Sequence, residues 1–231
     1  MPFPSKLNIG SGRDWLEDSI NIDLNPALAP DVIADLSDPG LVGSEHYTTR
    51  FGRVILAPGV FTHIRASHVL EHVPNLVQTM TSCLNLLRDG GEMAIEVPYD
   101  LSYGAWQDPT HIRAFNERSW MYYTTWHWMI GWYEWRFDQV QNALMLSAFG
   151  QELKKRGMAD EDIRRTPRAV DTNLAVLRKC RLTEQEKQQG RQFAQPRAVA
   201  LAKQGVAIPA APIARPQPDG PDSVESASIR E

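Results

Sequence analysis

The chain has 231 residues, of which 42% are hydrophobic and 23% are charged, a composition that suits one globular domain with a full core. Its formal net charge is −4, and the segment from Thr183 onward carries equal numbers of acidic and basic residues, so the preceding domain holds the negative charge. An acidic domain disfavours nucleic acid as a partner. The two cysteines, Cys83 and Cys180, lie far apart without metal-binding spacing, so neither a disulfide framework nor a zinc site is expected.

No run approaches the ~20 apolar residues of a membrane span, and the start, MPFPSK, lacks the hydrophobic core of a signal peptide. We therefore expect a cytoplasmic protein without a membrane span.

Residues 6–23, KLNIGSGRDWLEDSINID, predict a buried strand, a glycine turn, a brief helix carrying Trp15 and Leu16, and a second strand that ends at Asp23. A ligand approaches a backbone closely where no Cβ intrudes, as at Gly10 and Gly12. A carboxylate at the next strand end can accept both hydroxyls of a ribose. The alternative is a plain turn followed by an exposed acid.

A dinucleotide-binding Gly-x-Gly-x-x-Gly motif would place its third glycine at residue 15, where this chain has Trp15, and the neighbouring acid Asp14 would repel a pyrophosphate. A ligand without phosphate fits this turn better, which disfavours a nicotinamide-dependent oxidoreductase.

Further strands are predicted at residues 31–36, ending near Asp35, at 62–68, and at 92–97. A helix is predicted to open at the Leu70-Glu71-His72 turn and to run to about Arg88. Residues 39–61 form a long excursion with an apolar run at 54–57, which indicates an extra strand.

The motifs LNIGSG, INIDLNP, DVIADLSDP, ASHVLEHV and LLRDGGEMAIEVP occur in an order that resembles the class I S-adenosylmethionine-dependent methyltransferases. The resemblance is to the small-molecule type with a Leu-Glu-His signature, and it covers residues 6–179. It implies an α/β fold, with a Rossmann-like seven-stranded methyltransferase sheet, helices on both faces and an insertion after the fifth strand.

The same resemblance implies S-adenosyl-L-methionine as the cofactor. An acid at the third strand end, here Asp35, would meet the adenine amine while the Leu36 amide meets the ring, and the strand ending at His68 would lie beside the methyl donor. Asp35 could instead be a turn acid, and Glu71 and His72 a first-turn acid and a half-buried imidazole. The implied cofactor-binding residues are Asn8, Gly10, Gly12, Asp23, Asp35, Leu36, His68 and Glu71.

Residues 99–137 hold six of the seven tryptophans, and we predict that this insertion binds the methyl acceptor. Aromatic faces suit a sugar, a planar ring or a methylammonium-like cation. The alternative is that most of the rings are core, since Trp120, Tyr123, Thr124 and Trp128 share helical spacing. The predicted substrate-binding residues are Tyr99, Tyr103, Trp106, Arg113 and Trp120.

Within the insertion, Asp108-Pro109-Thr110-His111 is the best candidate for chemistry. Methyl transfer requires alignment and, for a hydroxyl or ammonium acceptor, a base. We predict that His111 is that base and that Asp108 orients its imidazole. Two alternatives stay open: a structural role for both residues, or a divalent metal bound with a carboxylate from elsewhere. No metal is otherwise expected.

Strands are predicted over 139–146 and 169–179, with a helix over 148–156 between them; the last strand resembles the antiparallel β7 of the family. Residues 1–182 would form the methyltransferase domain, and 183–231 a polar helix over 184–204 followed by a proline-rich, disordered tail.

The leading hypothesis is a methyltransferase that acts on an oxygen or nitrogen of a small molecule, with a sugar or glycan precursor as the mild preference. A noncatalytic scaffold that keeps the fold and binds a protein partner is the alternative. The sequence leaves the acceptor and the oligomeric state open.

Overall fold

A computed structural model describes residues 4–203 of the chain and contains one large sheet and one small hairpin. The strands in chain order are β1 (Lys6–Ile9), β2 (Ile20–Asp23), β3 (Val32–Ile33), β4 (Glu45–Thr48), β5 (Gly52–Ile55), β6 (Phe61–Ser67), β7 (Leu87–Pro98), β8 (Trp135–Leu146) and β9 (Val170–Arg181). The helices are α1 (Leu76–Leu86), α2 (Gly104–Gln107), α3 (Ala148–Lys155), α4 (Asp160–Arg165) and α5 (Glu184–Lys203), with 3₁₀ turns at Pro26–Leu28 and His127–Ile130.

The large sheet has seven strands in the order β3-β2-β1-β6-β7-β9-β8. Neighbours from β3 through to β7 pair in parallel, whereas β9 is antiparallel to both β7 and β8. This mixed sheet confirms the expected Rossmann-like α/β class, and the antiparallel last strand is where it was predicted.

The apolar side chains of the first strands alternate with polar ones and line up across the pairing, so they bury one face of the sheet. Leu7, Ile9, Ile20, Ile22 and Ile64 are each at most 1% exposed. Since β1, β2, β3 and β6 are parallel, the residues that follow them come together at one edge of the sheet.

The brief helix predicted around Trp15 and Leu16 is absent, because residues 13–19 form turns. The buried Asn21 side chain holds this connection: its Oδ1 accepts a hydrogen bond from the Leu16 amide at 2.9 Å, and its Nδ2 donates to the Leu16 carbonyl at 2.9 Å. A helix would use the same amide and carbonyl of Leu16 for its own backbone hydrogen bonds, so their pairing with Asn21 favours a turn. Strand β3 is also shorter than predicted, with two residues.

The excursion between β3 and β6 folds as an antiparallel hairpin of β4 and β5, so the extra strand predicted from the apolar run exists. Arg50, at the hairpin turn, forms an ion pair with Asp31 at 3.2 Å and places its guanidinium 3.9 Å from the ring centroid of Trp15. The hairpin therefore supports the outer side of the β1–β2 connection.

Helix α1 begins at Leu76 rather than at Leu70. Pro74 precedes Asn75, whose side-chain oxygen accepts a hydrogen bond from the Gln78 amide at 3.1 Å and caps the first turn. The segment carrying Glu71 and His72 is consequently irregular, and it runs along the carboxyl edge of the sheet.

The chain up to Gly190 forms one compact unit, and residues from Arg191 onward form a second, of which the structure describes the end of α5. The predicted domain boundary at residue 182 stays a prediction, and the proline-rich segment at 208–221 lies outside the described residues. Of the helices between residues 4 and 203, none has the length and apolar character to cross a lipid bilayer.

Candidate active site

The glycine turn after β1 is bonded to the carboxylate after β2. The backbone amide of Gly12 donates to Oδ2 of Asp23 at 2.8 Å, and the amide of Asn25 donates to Oδ1 at 2.8 Å. Gly10 and Gly12 both have positive φ, +58° and +52°. Asp23 is only partly buried and keeps acceptor capacity on both oxygens toward a ligand.

A cavity of about 300 Å³ opens at this edge of the sheet. Its walls come from the turn after β1 and from the segments that follow β2, β3 and β6. The lining residues are Gly10, Gly12, Asp23, Leu24, Ala34, Asp35, Leu36, His68, Val69, His72, Val73 and Pro74.

Six of the eight predicted cofactor-binding residues line this cavity, and Asn8 and Glu71 do not. Asn8 is fully buried, and its Nδ2 donates to the Asp14 carbonyl at 2.9 Å and to Oδ1 of Asn21 at 3.0 Å. Its polar groups therefore stabilise the β1–β2 connection.

His68 follows β6 with a φ of +51°, a left-handed conformation that is strained for a residue with a Cβ. Its Nδ1 lies 3.5 Å from Oε1 of Glu71, and its Nε2 lies 3.6 Å from Oε1 of Glu96. The Glu71 carboxylate, with a smaller contribution from Glu96, raises the pKa of His68 above its usual value, although burial acts in the opposite direction.

Glu71 is 1% exposed, and neither of its carboxylate oxygens has a hydrogen-bond partner among residues 4–203. Oε1 faces Nε2 of His111 at 4.0 Å, across from His68. Glu71, His72 and His111 each place one oxygen or nitrogen atom within 4.8 Å of the other two. The site thus combines a buried acid with imidazoles from two segments of the chain.

The predicted pairing of Asp108 with His111 is not formed. The Asp108 carboxylate accepts hydrogen bonds from the hydroxyl and the amide of Thr110, at 2.6 and 2.8 Å. The Nδ1 of His111 is bonded to the Ala105 carbonyl at 3.1 Å, and its Nε2 faces Glu71. The acid beside His111 therefore comes from the segment after β6, because the proline turn directs Asp108 back onto its own loop.

The predicted substrate-binding residues separate into buried and exposed groups. Trp120 is fully buried, stacks on Phe115 and donates from Nε1 to Oδ1 of Asn173 at 2.9 Å. Tyr99 is 4% exposed and donates to Oε2 of Glu117 at 2.8 Å. Both side chains belong to the core, so neither is placed to contact an acceptor.

Arg113 donates hydrogen bonds to the carbonyl oxygens of Leu70, Val73 and Pro74. Those bonds use its guanidinium to hold the segment with Glu71 and His72, rather than leaving it for an acidic acceptor. Tyr103 and Trp106 are 60% and 65% exposed, respectively, and do not line the cavity.

Solved structures resemble this chain at low sequence identity. One is a SAM-dependent methyltransferase from Archaeoglobus fulgidus, 16% identical, with 77% of this chain and 86% of that chain covered at a TM-score of 0.48. A putative methyltransferase from Bacillus halodurans is 12% identical, covering 76% and 91% at 0.47. An S-adenosylmethionine-dependent methyltransferase from Mesorhizobium loti is 14% identical, covering 75% and 90% at 0.41.

No protein-family model matches the chain, and no curated protein matches it. A likeness with TM-scores below 0.5 assigns no reaction, so the function has to be inferred from the side chains of the site.

The residues that sequence reasoning missed lie mostly between strands. Val69, Val73 and Pro74 line the cavity because the segment after β6 is not helical. Glu96 could have been predicted as a site residue, because it is an acid near the carboxyl end of a buried parallel strand. His72 was visible in the Leu-Glu-His motif, but its approach to His111, with ring centroids 4.6 Å apart, depends on the path of the insertion.

Proposed function

We propose that the chain is an S-adenosylmethionine-dependent methyltransferase. The observation that carries the proposal is the convergence of the glycine turn, Asp23, Asp35 and His68 on one cavity at the carboxyl edge of the parallel strands. That is the edge where open α/β sheets bind ligands.

The residues fit this cofactor on structural grounds. A Cβ added to Gly12 would meet only the Gly10 carbonyl oxygen, at 3.8 Å, so the backbone is open to a close ligand. Asp23 would accept the ribose hydroxyls, and the apolar side chains of Leu24, Leu36 and Val73 suit an adenine ring.

The same turn argues against a dinucleotide. A pyrophosphate is bound at the N-terminus of a helix that follows the glycines, and residues 13–19 contain no helix. With Asp14 directly after the turn, a ligand without phosphates is the better match.

When bound, S-adenosylmethionine supplies a methyl carbon activated by a sulfonium. The protein would align the acceptor, exclude water and provide a base that removes the acceptor's proton. We propose His111 as the catalytic residue that activates the acceptor, with Glu71 rather than Asp108 as its acidic neighbour. The segment at 103–112 would form the acceptor side, with the exposed Tyr103 and Trp106 favouring a sugar or glycan precursor. The Leu-Glu-His type, the acceptor and the cytoplasmic location are parts of this proposal.

The test is calorimetric titration with S-adenosylmethionine and its demethylated product. We expect micromolar binding by the wild type, roughly −8 kcal/mol. Asp23→Asn should weaken binding at least about tenfold, because a charged acceptor for the ribose is lost. Asp18→Asn is the matched control, since Asp18 is an exposed acid that pairs with Lys6 away from the cavity. A folded wild type that binds neither compound would reject the proposal and favour the noncatalytic scaffold.

A further inference from the structure

Glu71, His72 and His111 form a compact cluster of potential metal ligands. One ligand atom from each residue lies within 4.8 Å of the other two, and Oε1 of Glu71 is 4.0 Å from Nε2 of His111. Two imidazoles and one carboxylate are a donor set that binds zinc and other late first-row divalent cations.

The buried carboxylate lacks what a charged group in the protein interior requires. Glu71 is 1% exposed, and both of its oxygens are without hydrogen bonds within residues 4–203. The nearest ring nitrogen, Nδ1 of His68, lies 3.5 Å away on a half-exposed side chain and forms no hydrogen bond with it. A buried carboxylate is normally hydrogen-bonded, paired or bound to a metal. Among the described residues, Glu71 has only these long contacts with imidazoles and no hydrogen bond, so a buried acid aimed at the two imidazoles of the cluster indicates a missing cation.

Hydrogen bonds outside the cluster prepare both imidazoles to act as ligands. Nδ1 of His111 lies 3.1 Å from the Ala105 carbonyl, which can only accept a hydrogen bond, so Nδ1 carries the hydrogen and donates it, and the lone pair is on Nε2, facing Glu71. Nδ1 of His72 lies 2.9 Å from the Thr110 hydroxyl, which itself donates to Asp108. The Thr110 oxygen must therefore accept the proton of Nδ1, which leaves the lone pair of His72 on Nε2. Such outer contacts commonly fix metal-binding histidines.

We infer that Glu71, His72 and His111 bind one divalent transition-metal cation of the zinc or iron(II) class. Tetrahedral ligands at about 2.0–2.1 Å from a metal lie roughly 3.3 Å from each other. The separation of Glu71 and His111 would then contract by about 0.7 Å, and the widest separation in the cluster by at most about 1.5 Å. Three protein ligands leave at least one coordination position for a fourth, outside ligand.

The cation would lie next to the cofactor cavity, because His72 belongs both to the cluster and to the cavity wall. This deepens the proposed function and rests on it: the metal would lower the pKa of an acceptor oxygen in the open position, so that its proton passes to solvent. The oxygen would then bond the methyl carbon as the carbon–sulfur bond breaks and the demethylated cofactor leaves. His111 would then act as a metal ligand. A metal at this site also gives a role to the hydrogen bond between Asp108 and Thr110. Asp108 accepts from the Thr110 hydroxyl, and that hydroxyl in turn orients His72.

The test measures metal binding without cofactor or acceptor. Untagged protein is stripped with a chelator, then titrated with Zn²⁺ by calorimetry and with Co²⁺ by its visible ligand-field absorption. We expect one equivalent bound by the wild type, and a loss of affinity of at least about tenfold in Glu71→Gln and in His111→Asn. His63→Gln is the matched control, because His63 is an exposed histidine bonded to the neighbouring Thr62 hydroxyl, and it should bind as the wild type does.

Circular dichroism tests whether each variant is folded. If Glu71→Gln or His111→Asn does not fold, His72→Gln takes its place as the ligand variant. A wild type that binds no cation, or binds it as tightly as the folded ligand variants do, would overturn the metal site. S-adenosylmethionine binding is measured separately, so its loss in Asp23→Asn with metal binding unchanged distinguishes the two proposals. Cofactor binding without metal binding would reject only the metal.

Discussion

The backbone of Gly10 packs directly against the side chain of Val69: a methyl group added at Gly10 would lie 2.2 Å from Cγ2 and 2.5 Å from Cβ of Val69. This contact joins the glycine turn to the segment after β6, across the floor of the cavity.

We expect Gly10→Ala to lower the free energy of unfolding by at least about 2 kcal/mol, from overpacking and from the strain of a positive φ. Gly157→Ala has the same backbone strain, at φ +80°, with open space around the added methyl, and should cost about 1 kcal/mol. Urea denaturation measures both. The double variant Gly10→Ala/Val69→Ala should be more stable than the sum of the single changes implies; simple additivity would contradict the contact.

The guanidinium of Arg113 supports the segment that carries the acid and the histidine of the site. Arg113→Ala leaves the carbonyls of Leu70, Val73 and Pro74 without their charged donor, so we expect a loss of about 2 to 3 kcal/mol in the free energy of unfolding. Cofactor affinity should fall as well.

Arg113→Lys should restore only part of the stability, since an ammonium cannot reproduce the fork of the guanidinium. The exposed Arg118 is the control, and Arg118→Ala should change stability by no more than about 0.5 kcal/mol. An Arg113→Ala variant as stable as the wild type but without activity would contradict this structural role and would indicate that Arg113 contacts the substrate.

Two tryptophans of the insertion should lose different amounts of stability on the same change. Trp120→Phe leaves Oδ1 of Asn173 without its indole donor in the core and should cost about 2 to 3 kcal/mol. Trp106→Phe changes a side chain that is 65% exposed and should cost less than about 1 kcal/mol. Chemical denaturation of both proteins decides this; equal losses would contradict the division of the insertion into core and surface.

Alkaline pH should destabilise the protein through groups that are buried in their protonated forms. Burial raises the pKa of Cys83 from 9.0 to about 12 and that of Tyr123 from 10.0 to about 12, and it raises the pKa of Tyr99 as well. The folded state holds these protons more tightly, so the stabilisation is complete below the unfolded pKa values and is lost as the pH rises through the window from 9 to 12.

At pH 10.5, Cys83 alone should account for a decrease of about 2 kcal/mol relative to pH 8, at 1.36 kcal/mol for each pH unit. Urea denaturation across this range measures the decrease, and Cys83→Ala should show a shallower dependence on pH. Identical slopes for the two proteins would show that the thiol does not contribute.

The sequence was sufficient where the signal is local. The apolar alternation of Leu7 and Ile9, and of Ile20 and Ile22, predicts β1 and β2 without knowledge of their neighbours. Parallel pairing then brings the following residues to one edge of the sheet, which is why Gly12 and Asp23 could be expected together.

The sequence was insufficient where one side chain decides the path of a distant segment. Asn21 takes the hydrogen-bonding groups of Leu16, so a helix pattern becomes a turn. Glu71 meets His111 because the insertion folds back along the edge of the sheet. Trp120 and Trp106 could not be separated by helical spacing, since the segment around Trp120 is built of turns.

The position of β9 between β7 and β8 has a consequence for how the chain reaches this structure. Strand β8 is made before β9, yet it can join the sheet only through β9, so β7 presents an open edge of seven residues, 92–98, until Val170–Arg181 has been synthesised. Such an edge is a template for pairing between chains. A nascent or truncated chain that stops before residue 170 should therefore aggregate, although every residue of the cavity is already present in it.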